Sequence, residues 1–342
     1  MVQQRGLSGQ VIEAVPTSNV PLVVVARQGG AGKTRLLSGK NASSSQKLRG
    51  GYYTPAPIAT FLAEWAICDQ DAHVLEPSAG DGALIEPMLA RLGPGGCVTA
   101  VELDPLEARK AAARSRDHVR IVEGDFSAWY LSCGVDGAFD AAVGNPPFVR
   151  YGDFPEIYRE PAFRLMRDEG LHPTKLTNMW LPFVVGCTRS LRQGGRLALV
   201  LPAELLQVTY DGELREYLVR KYSHLTVVTF RRLVFAGIQQ EVVLLLGIRQ
   251  NDSAAQISFV EIDDMADLDT RHIQNVQPVE ADLHHGREKW TQYYLTPAEL
   301  SLIRELEQSD AFGRLGHYAQ VDVGVVTGFN DFFVLRVRRR IK

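Results

Sequence analysis

The sequence predicts an α/β protein built on a doubly wound, mainly parallel sheet with helices on both faces. Three patterns carry that prediction. Short apolar runs recur from residue 73 to residue 250, each followed by an amphipathic stretch. The longest of them, such as Val242–Leu246, are strand-sized and far too short to cross a bilayer. The turns after several runs hold Gly, Asp or Pro, at the carboxyl ends where such sheets bind ligands.

The elements follow in order. Tyr52-Tyr53-Thr54-Pro55 precedes a helix with Ile58, Phe61, Leu62, Trp65 and Ala66 at helical spacing; Thr54 reads as its N-cap and Pro55 as its first residue. A strand His73–Glu76 turns through Glu76-Pro77-Ser78-Ala79-Gly80-Asp81-Gly82 into a helix Ala83–Leu92. Val98–Leu103 feeds a helix Pro105–Arg116, and Val119–Val122 feeds a loop at Gly124–Phe126. Phe139–Val143 runs into Asn145-Pro146-Pro147-Phe148. A helix Met179–Leu191 ends at Gly194-Gly195 before the strand Arg196–Leu201. A helix Gly212–Tyr222 and the strands Leu225–Phe230 and Glu241–Ile248 complete the pattern. No internal repeat interrupts it.

Composition sets the class. A length of 342 residues suits two domains or one large α/β domain with additions, and 45% hydrophobic with 23% charged residues is ordinary for a globular protein. Met1–Val15 lacks the basic-then-apolar pattern of an export signal, so a cytoplasmic location with no membrane partner is expected. Cys68, Cys97, Cys133 and Cys187 are scattered without a CxxC pair, which predicts reduced thiols and no metal. The net charge of −3 makes no whole-molecule case for a polyanion. Its distribution is uneven: residues 1–50 hold seven Lys or Arg against Glu13 alone, Arg336–Lys342 holds five, and acids gather between 252 and 269. Basic ends on an acidic body suit a polyanion held at one face.

The Pro loop is the most informative feature. Neither Pro146 nor Pro147 can donate an N–H, and each fixes φ near −65°. The segment must therefore be a rigid loop presenting an amide, bare carbonyls and an aromatic face at a strand's carboxyl end. Those groups match a planar ring bearing an exocyclic amine: acceptors for its two N–H bonds, and Phe148 to stack on it. Three earlier strand ends look like a cofactor site. Gly80 and Gly82 allow a sharp turn and close approach of a ligand. Glu102 ends the second strand, where a carboxylate accepts both hydroxyls of a ribose. Asp125 could accept an adenine amine while Phe126 covers one face. A dinucleotide would need a third glycine where Ile85 stands, so a phosphate-free adenosyl cofactor fits better.

Tyr-Thr-Pro, Glu-Pro-Ser-Ala-Gly-Asp-Gly, Val-Glu-Leu-Asp, Gly-Asp-Phe and Asn-Pro-Pro-Phe, in this order from about Leu48 to Asn330, resemble the S-adenosylmethionine-dependent N6-adenine DNA methyltransferases. The order is similar to the restriction-modification subgroup whose target-recognition region follows the catalytic domain. The resemblance implies a Rossmann-like class I methyltransferase fold with S-adenosyl-L-methionine as cofactor. DNA is the implied partner, with a specificity or nuclease subunit as a further one. It implies that Tyr53, Thr54, Pro55, Glu76, Ala79, Gly80 and Gly82 hold the cofactor's methionine end and its loop. Glu102 would bind ribose, and Asp125 and Phe126 adenine. Asn145 and Pro146, in the rigid setting of Pro147, would grip the target amine. Phe148 would stack on the target base, with Phe235 on its other face. The implied domains are a basic N-terminal arm over 1–47, a catalytic domain over 48–250, a connecting region over 251–320, and the start of a truncated target-recognition domain over 321–342.

Other readings stay open. Gln28-Gly29-Gly30-Ala31-Gly32-Lys33-Thr34 resembles the variant phosphate loop of partitioning-type ATPases, but Arg27 and Gln28 break its pattern, so a basic arm is expected there. Asn-Pro-Pro-aromatic loops also occur in enzymes methylating a protein glutamine amide or an rRNA base amine. A degenerate, inactive DNA-binding subunit is the non-enzymatic alternative.

Overall fold

The computed structural model describes residues 53–207, 212–232, 241–250, 255–274, 276, 279–281, 289–309, 311–313 and 315–320. Nine strands form one sheet: β1 (His73–Glu76), β2 (Cys97–Glu102), β3 (Val119–Glu123), β4 (Phe139–Gly144), β5 (Leu191–Pro202), β6 (Tyr222–Phe230), β7 (Val242–Arg249), β8 (Ala255–Ile262) and β9 (Val279–Ala281). The helices are α1 (Ala56–Ala66), α2 (Ile85–Leu89), α3 (Pro105–Arg114), α4 (Phe126–Cys133), α5 (Glu156–Arg167), α6 (Trp180–Ser190), α7 (Gly212–Lys221), α8 (Thr270–Gln274) and α9 (Pro297–Gln308). The sheet and everything below belong to the compact unit Lys40–Ser301. Beyond it, the described residues are the end of α9 and a short turn at Leu315–His317.

Strand order is β3-β2-β1-β4-β5-β7-β6-β8-β9. β1 to β5 are mutually parallel, β7 lies antiparallel between β5 and β6, and β9 is antiparallel to β8. The chain thus starts mid-sheet, winds outward to β3, then returns to β4 beside β1. The order reverses between β1 and β4, and their carboxyl ends flank the crevice where such sheets bind ligands.

Both faces of the central strands are buried, which is why they read as continuous apolar runs. Val74, Ala100, Val143 and Val200 face a core shared with Ile58 and Leu62 of α1. Their neighbours Leu75, Val101, Ala142 and Leu199 face the opposite core, shared with Phe126 of α4 and Trp180 and Val184 of α6. The two-residue period of a strand sorts one run into two layers.

Several boundaries differ from expectation, each for a local reason. α1 begins at Ala56, so Pro55 sits in the cap position, its carbonyl accepting from Ala59 N, and Thr54 is freed for another bond. The helix expected over Ala83–Leu92 narrows to α2, preceded by turns. Gly194-Gly195 does not separate helix from strand. β5 starts at Leu191 opposite Phe139, then resumes at Arg196 opposite Ala141, so the glycines form a bulge within it. α4 was expected only as a loop: it is short, and its apolar residues show no helical stripe. α5 lies outside the expected elements because Pro161 interrupts its helical pattern; it buries Ala162, Leu165 and Met166 nonetheless. β8 and β9 fall in the 251–320 stretch expected as a connection, yet β8 pairs with β6 from His224↔Gln256 to Phe230↔Ile262. The sheet therefore continues past residue 250.

Candidate active site

A cleft of about 330 Å³ opens at the carboxyl ends of β1, β2, β3 and β4. The loops after those strands supply Glu76–Asp81, Glu102–Asp104, Gly124–Phe126, Asn145 and Pro147 to its lining, and Tyr53 and Thr54 join them from before α1. Val149, Phe154, Pro155 and Phe183 complete an apolar wall.

The glycine loop is shaped by backbone demands. Gly80 has φ +55 with no atom within 4 Å of where a Cβ would stand, so its freedom serves the turn. Its N–H donates to Glu102 Oε2 at 2.7 Å, while Asp104 N donates to Glu102 Oε1 at 2.8 Å. One carboxylate thus ties the loops of β1 and β2 together and stays in the cleft lining. Gly82 does different work. At φ +83, a Cβ on it would meet Ala111 Cα of α3 at 3.0 Å, so it permits helix packing and does not line the cleft.

Among the described residues, every charged side chain lining the cleft is an acid: Glu76, Asp81, Glu102, Asp104, Glu107, Asp125 and Asp153. Some are engaged at the rim. Asp81 pairs with Arg114 at 2.6 Å, and Glu107 takes Lys110 at 2.9 Å and the Tyr53 hydroxyl at 3.2 Å. Glu76 is the contrasting case. It is 1% exposed, and its Oε2 has no hydrogen-bond partner among the described residues. Burial raises its carboxyl well above the ordinary value, and the nearby Glu102 and Asp81 charges add to that.

Asp125 caps α4, its Oδ1 accepting from Ala128 N at 2.8 Å. Burial pushes its carboxyl up to about 6, against the backbone donors of Ala128 and Ser127. Phe126 is 1% exposed and stacks on Phe183 with centroids 5.2 Å apart. Phe183 was not foreseen: on an apolar helix nothing distinguishes a cleft-lining ring from a core one.

The Pro loop is tied down at several points. Asn145 Nδ2 donates to Thr54 Oγ1 at 3.3 Å, and the Ser78 hydroxyl donates to the Asn145 main-chain oxygen at 3.1 Å. Met179 N donates to Val149 O at 2.8 Å. Asn145 and Pro147 line the cleft; Pro146 is buried, and Phe148 packs against both core layers. Of the expected site residues, Tyr53, Thr54, Glu76, Ala79, Gly80, Glu102, Asp125, Phe126, Asn145 and Pro147 share this cleft. Pro55, Gly82, Pro146 and Phe148 do not line it, the first two because helix capping and helix packing claim them. Phe235, the run Gln28–Thr34 and residues 321–342, expected as the start of a target-recognition domain, lie outside the described residues.

Comparison with known proteins places these features in a family context. Residues 102–235 match the family model described as Eco57I restriction-modification methylase, and residues 287–341 match that of the C-terminal domain of the type II methyltransferase M.Eco57I. The chain is a relative of the restriction-modification DNA methyltransferases. The second match begins well before residue 321, where the recognition region was expected. The type II methyltransferase M.AccI of Acinetobacter calcoaceticus is 23% identical over 84% of this chain and 53% of its own length. The tRNA1(Val) (adenine(37)-N6)-methyltransferase of Aeromonas hydrophila is 32% identical over 45% of this chain and 63% of its own. The chain spans about half the length of the type II methyltransferases it matches. Among solved structures, the type I restriction-modification methyltransferase subunit of Streptococcus thermophilus superposes with a TM-score of 0.51 at 17% identity, over 71% of this chain and 53% of that one. The shared fold is the Rossmann-like class I methyltransferase sheet. Among the described residues, no helix is long and apolar enough to cross a membrane.

Proposed function

We propose that this chain transfers the methyl group of S-adenosyl-L-methionine to the N6 amine of adenine in DNA, within a restriction-modification or phage-defence system. One observation carries the reading: a cleft whose charged groups are all acids ends at Asn145. Phosphate-bearing nucleotides are repelled by such a lining, whereas a cationic, phosphate-free adenosyl compound is attracted. The residues present fit it. Glu76 offers a buried acceptor that no donor among the described residues reaches, Glu102 an acceptor for ribose hydroxyls, Asp125 an acceptor for the adenine amine, and Phe183 and Leu103 apolar walls. Bound there, the sulfonium would supply an electrophilic methyl group, its S–CH3 bond breaking to leave a neutral thioether as the amine nitrogen bonds the methyl and gives up one proton to solvent.

The chain's own residues then act on the target. An aryl amine is a weak nucleophile because its lone pair is delocalised into the ring. Asn145 Oδ1 and the Pro146 carbonyl accept its N–H bonds, which localises that lone pair and orients it. Positioning and fixed dipoles are the source of rate, with no covalent enzyme intermediate. The adenine must leave the duplex to reach the loop, at a cost of a few kcal/mol offset in part by stacking on Phe148. Phe235 is proposed for the opposite face, and the chain from residue 287 onward for sequence recognition, with a specificity or nuclease subunit as partner.

The Aeromonas relative favours a second reading, in which the same chemistry acts on an RNA adenine. Methyl transfer from radiolabelled S-adenosylmethionine to unmethylated genomic DNA, with rRNA, tRNA and release-factor protein in parallel, tests both. N6-methyladenine in DNA is the expected product. Label in RNA or protein keeps the fold and overturns the substrate; absence of label with the cofactor bound overturns the reading for this chain alone.

Asp125 makes cofactor affinity pH-dependent. Its ionised carboxylate is the better acceptor for the adenine amine, so affinity should weaken as pH falls through about 6. The folded-state value lies above the ordinary 3.8, so without cofactor the same group lowers stability as pH rises from there to about 6. Asp125→Asn retains a helix-capping oxygen and should flatten both profiles. Titration calorimetry from about one unit below to about two units above the inflection checks this; an unchanged profile in the variant would assign it elsewhere.

A further inference from the structure

The segment between α5 and α6 carries a turn that the chemistry above leaves unused. Thr177 N donates to Thr174 O at 2.9 Å, closing a turn with Lys175 and Leu176 at its tip. Two hydroxyls stiffen it: Thr177 Oγ1 accepts from Thr174 N at 2.8 Å, and Thr174 Oγ1 accepts from Leu176 N at 3.2 Å. Both flanks are fastened. His172 N donates to Glu213 Oε2 of α7 at 2.8 Å. On the other side Asn178 bridges Arg150, and Met179 N donates to Val149 O at 2.8 Å. The turn is therefore held against the segment that leaves the Pro loop. Two residues separate Phe148 from that bridge and two more separate the bridge from Leu176, so the tip lies within roughly 20 Å of Phe148.

The tip displays what turns normally avoid. Gly, Asn, Asp and Ser dominate such positions, yet Leu176 is 76% exposed. Lys175 beside it and Arg150 across the bridge are exposed as well. Their charge is opposite to that of the cleft, whose charged lining among the described residues is acidic. An aliphatic group between two cations on a rigid tip has the makeup of a duplex contact: cations for phosphates, and a side chain of the kind that enters a base step.

We propose that the turn Thr174–Thr177 contacts duplex DNA, with Leu176 entering the stack where the target adenine leaves it and Lys175 and Arg150 on the flanking phosphates. The inference deepens the function proposed above and rests on it for the substrate. Extruding a base forfeits its stacking and pairing. An aliphatic group in the vacated space offsets part of that loss and keeps the orphaned partner base from closing the gap. Stiffness helps here, because a tip already ordered by Thr174 and Thr177 loses little further freedom on insertion.

The test compares the full chain with Leu176→Ala and Lys175→Ala. The target position is first read from where the parent places N6-methyladenine in unmethylated genomic DNA. Two duplexes are then made around it, one fully paired and one with an abasic residue opposite the target adenine. At saturating S-adenosylmethionine, single-turnover transfer to the paired duplex should fall about tenfold in Leu176→Ala, the effect of losing an apolar insert from an unstacked step. On the abasic duplex, where no pair has to be broken, the variant should stay within about twofold of the parent. Its cofactor Kd should also stay within about twofold. For a duplex of mixed sequence, Lys175→Ala should reduce the slope of log K against log salt by about one.

Equal rates of parent and Leu176→Ala on the paired duplex would overturn the proposal. So would a loss of the same size on both duplexes, which makes Leu176 a support for the Pro loop, or a rate loss matched by lost cofactor affinity. An unchanged salt slope in Lys175→Ala overturns it too, leaving the turn to a protein partner. A parent that binds cofactor yet methylates no DNA refutes the proposed function instead, and the salt slope on the mixed-sequence duplex then decides by itself whether the turn lies against DNA.

Discussion

Asn145→Ala is expected to reduce methyl transfer by at least about a hundredfold, on the scale of removing one preorganised dipole from a reacting centre. Cofactor affinity should stay within about threefold, because little of the substitution reaches the cleft's other groups. The reasons are structural. Truncation deletes both amide atoms, and with them the acceptor for the target amine and the donor to Thr54. It leaves the loop's restraints in place: the two prolines, the Ser78 bond to the main-chain oxygen of residue 145, and the Met179 bond to Val149 O. Transfer measured with tritiated cofactor, beside equilibrium binding of the same compound, separates the two effects. Joint loss of binding and transfer would mean that the amide supports the loop itself.

Glu76→Gln should move stability and affinity in opposite directions. The Glu76 carboxyl is buried, has no partner for Oε2 among the described residues and lies in the field of Glu102 and Asp81. Its pKa is raised above the ordinary 4.5, so the folded state holds more protons than the unfolded one in the interval between the two values. Stability without cofactor therefore falls as pH rises from about 4.5 through the folded value. A neutral isostere does not titrate, so it removes this fall in stability and should raise the Tm of the cofactor-free protein near pH 8. Cofactor affinity should drop about tenfold or more, because the acceptor that burial holds in readiness has become partly a donor. Thermal unfolding with and without S-adenosylmethionine reads both. A lower Tm in the cofactor-free variant would show that Glu76 has a structural partner outside the described residues.

Much of this site is legible in the sequence because its residues stand beside backbone punctuation. Glu76, Gly80, Glu102, Asp125 and Asn145 each follow an apolar run, and a buried parallel strand leaves its carboxyl end at the ligand crevice. What stayed hidden has physical causes. Gly82 and Pro55 belong to the same short segments as true lining residues, and a turn requirement looks the same in sequence whether a ligand or a helix imposes it. Phe183 reaches the cleft from the apolar run of α6, and Val149 and Phe154 from the mixed segment after the Pro loop, where nothing in the sequence marks either side chain. The Thr54–Asn145 bond joins the segment before the first helix to the loop after the fourth strand, a meeting that only the folded sheet creates. β8, the next-to-last strand of the sheet, carries a weaker signal than a doubly buried strand because Gln256 and Glu261 are exposed.

Phe148 packs against both layers, where the sheet's two cores meet at the end of β4. A ring wedged in this way has already surrendered most of its rotational freedom during folding. A flat partner that stacks on its accessible part need not pay that entropy again, which for a free side chain is about 0.5–1.5 kcal/mol. The same wedge narrows what can replace it: a smaller side chain leaves a void in both layers, so the ring's size is constrained by the fold whatever it is asked to recognise.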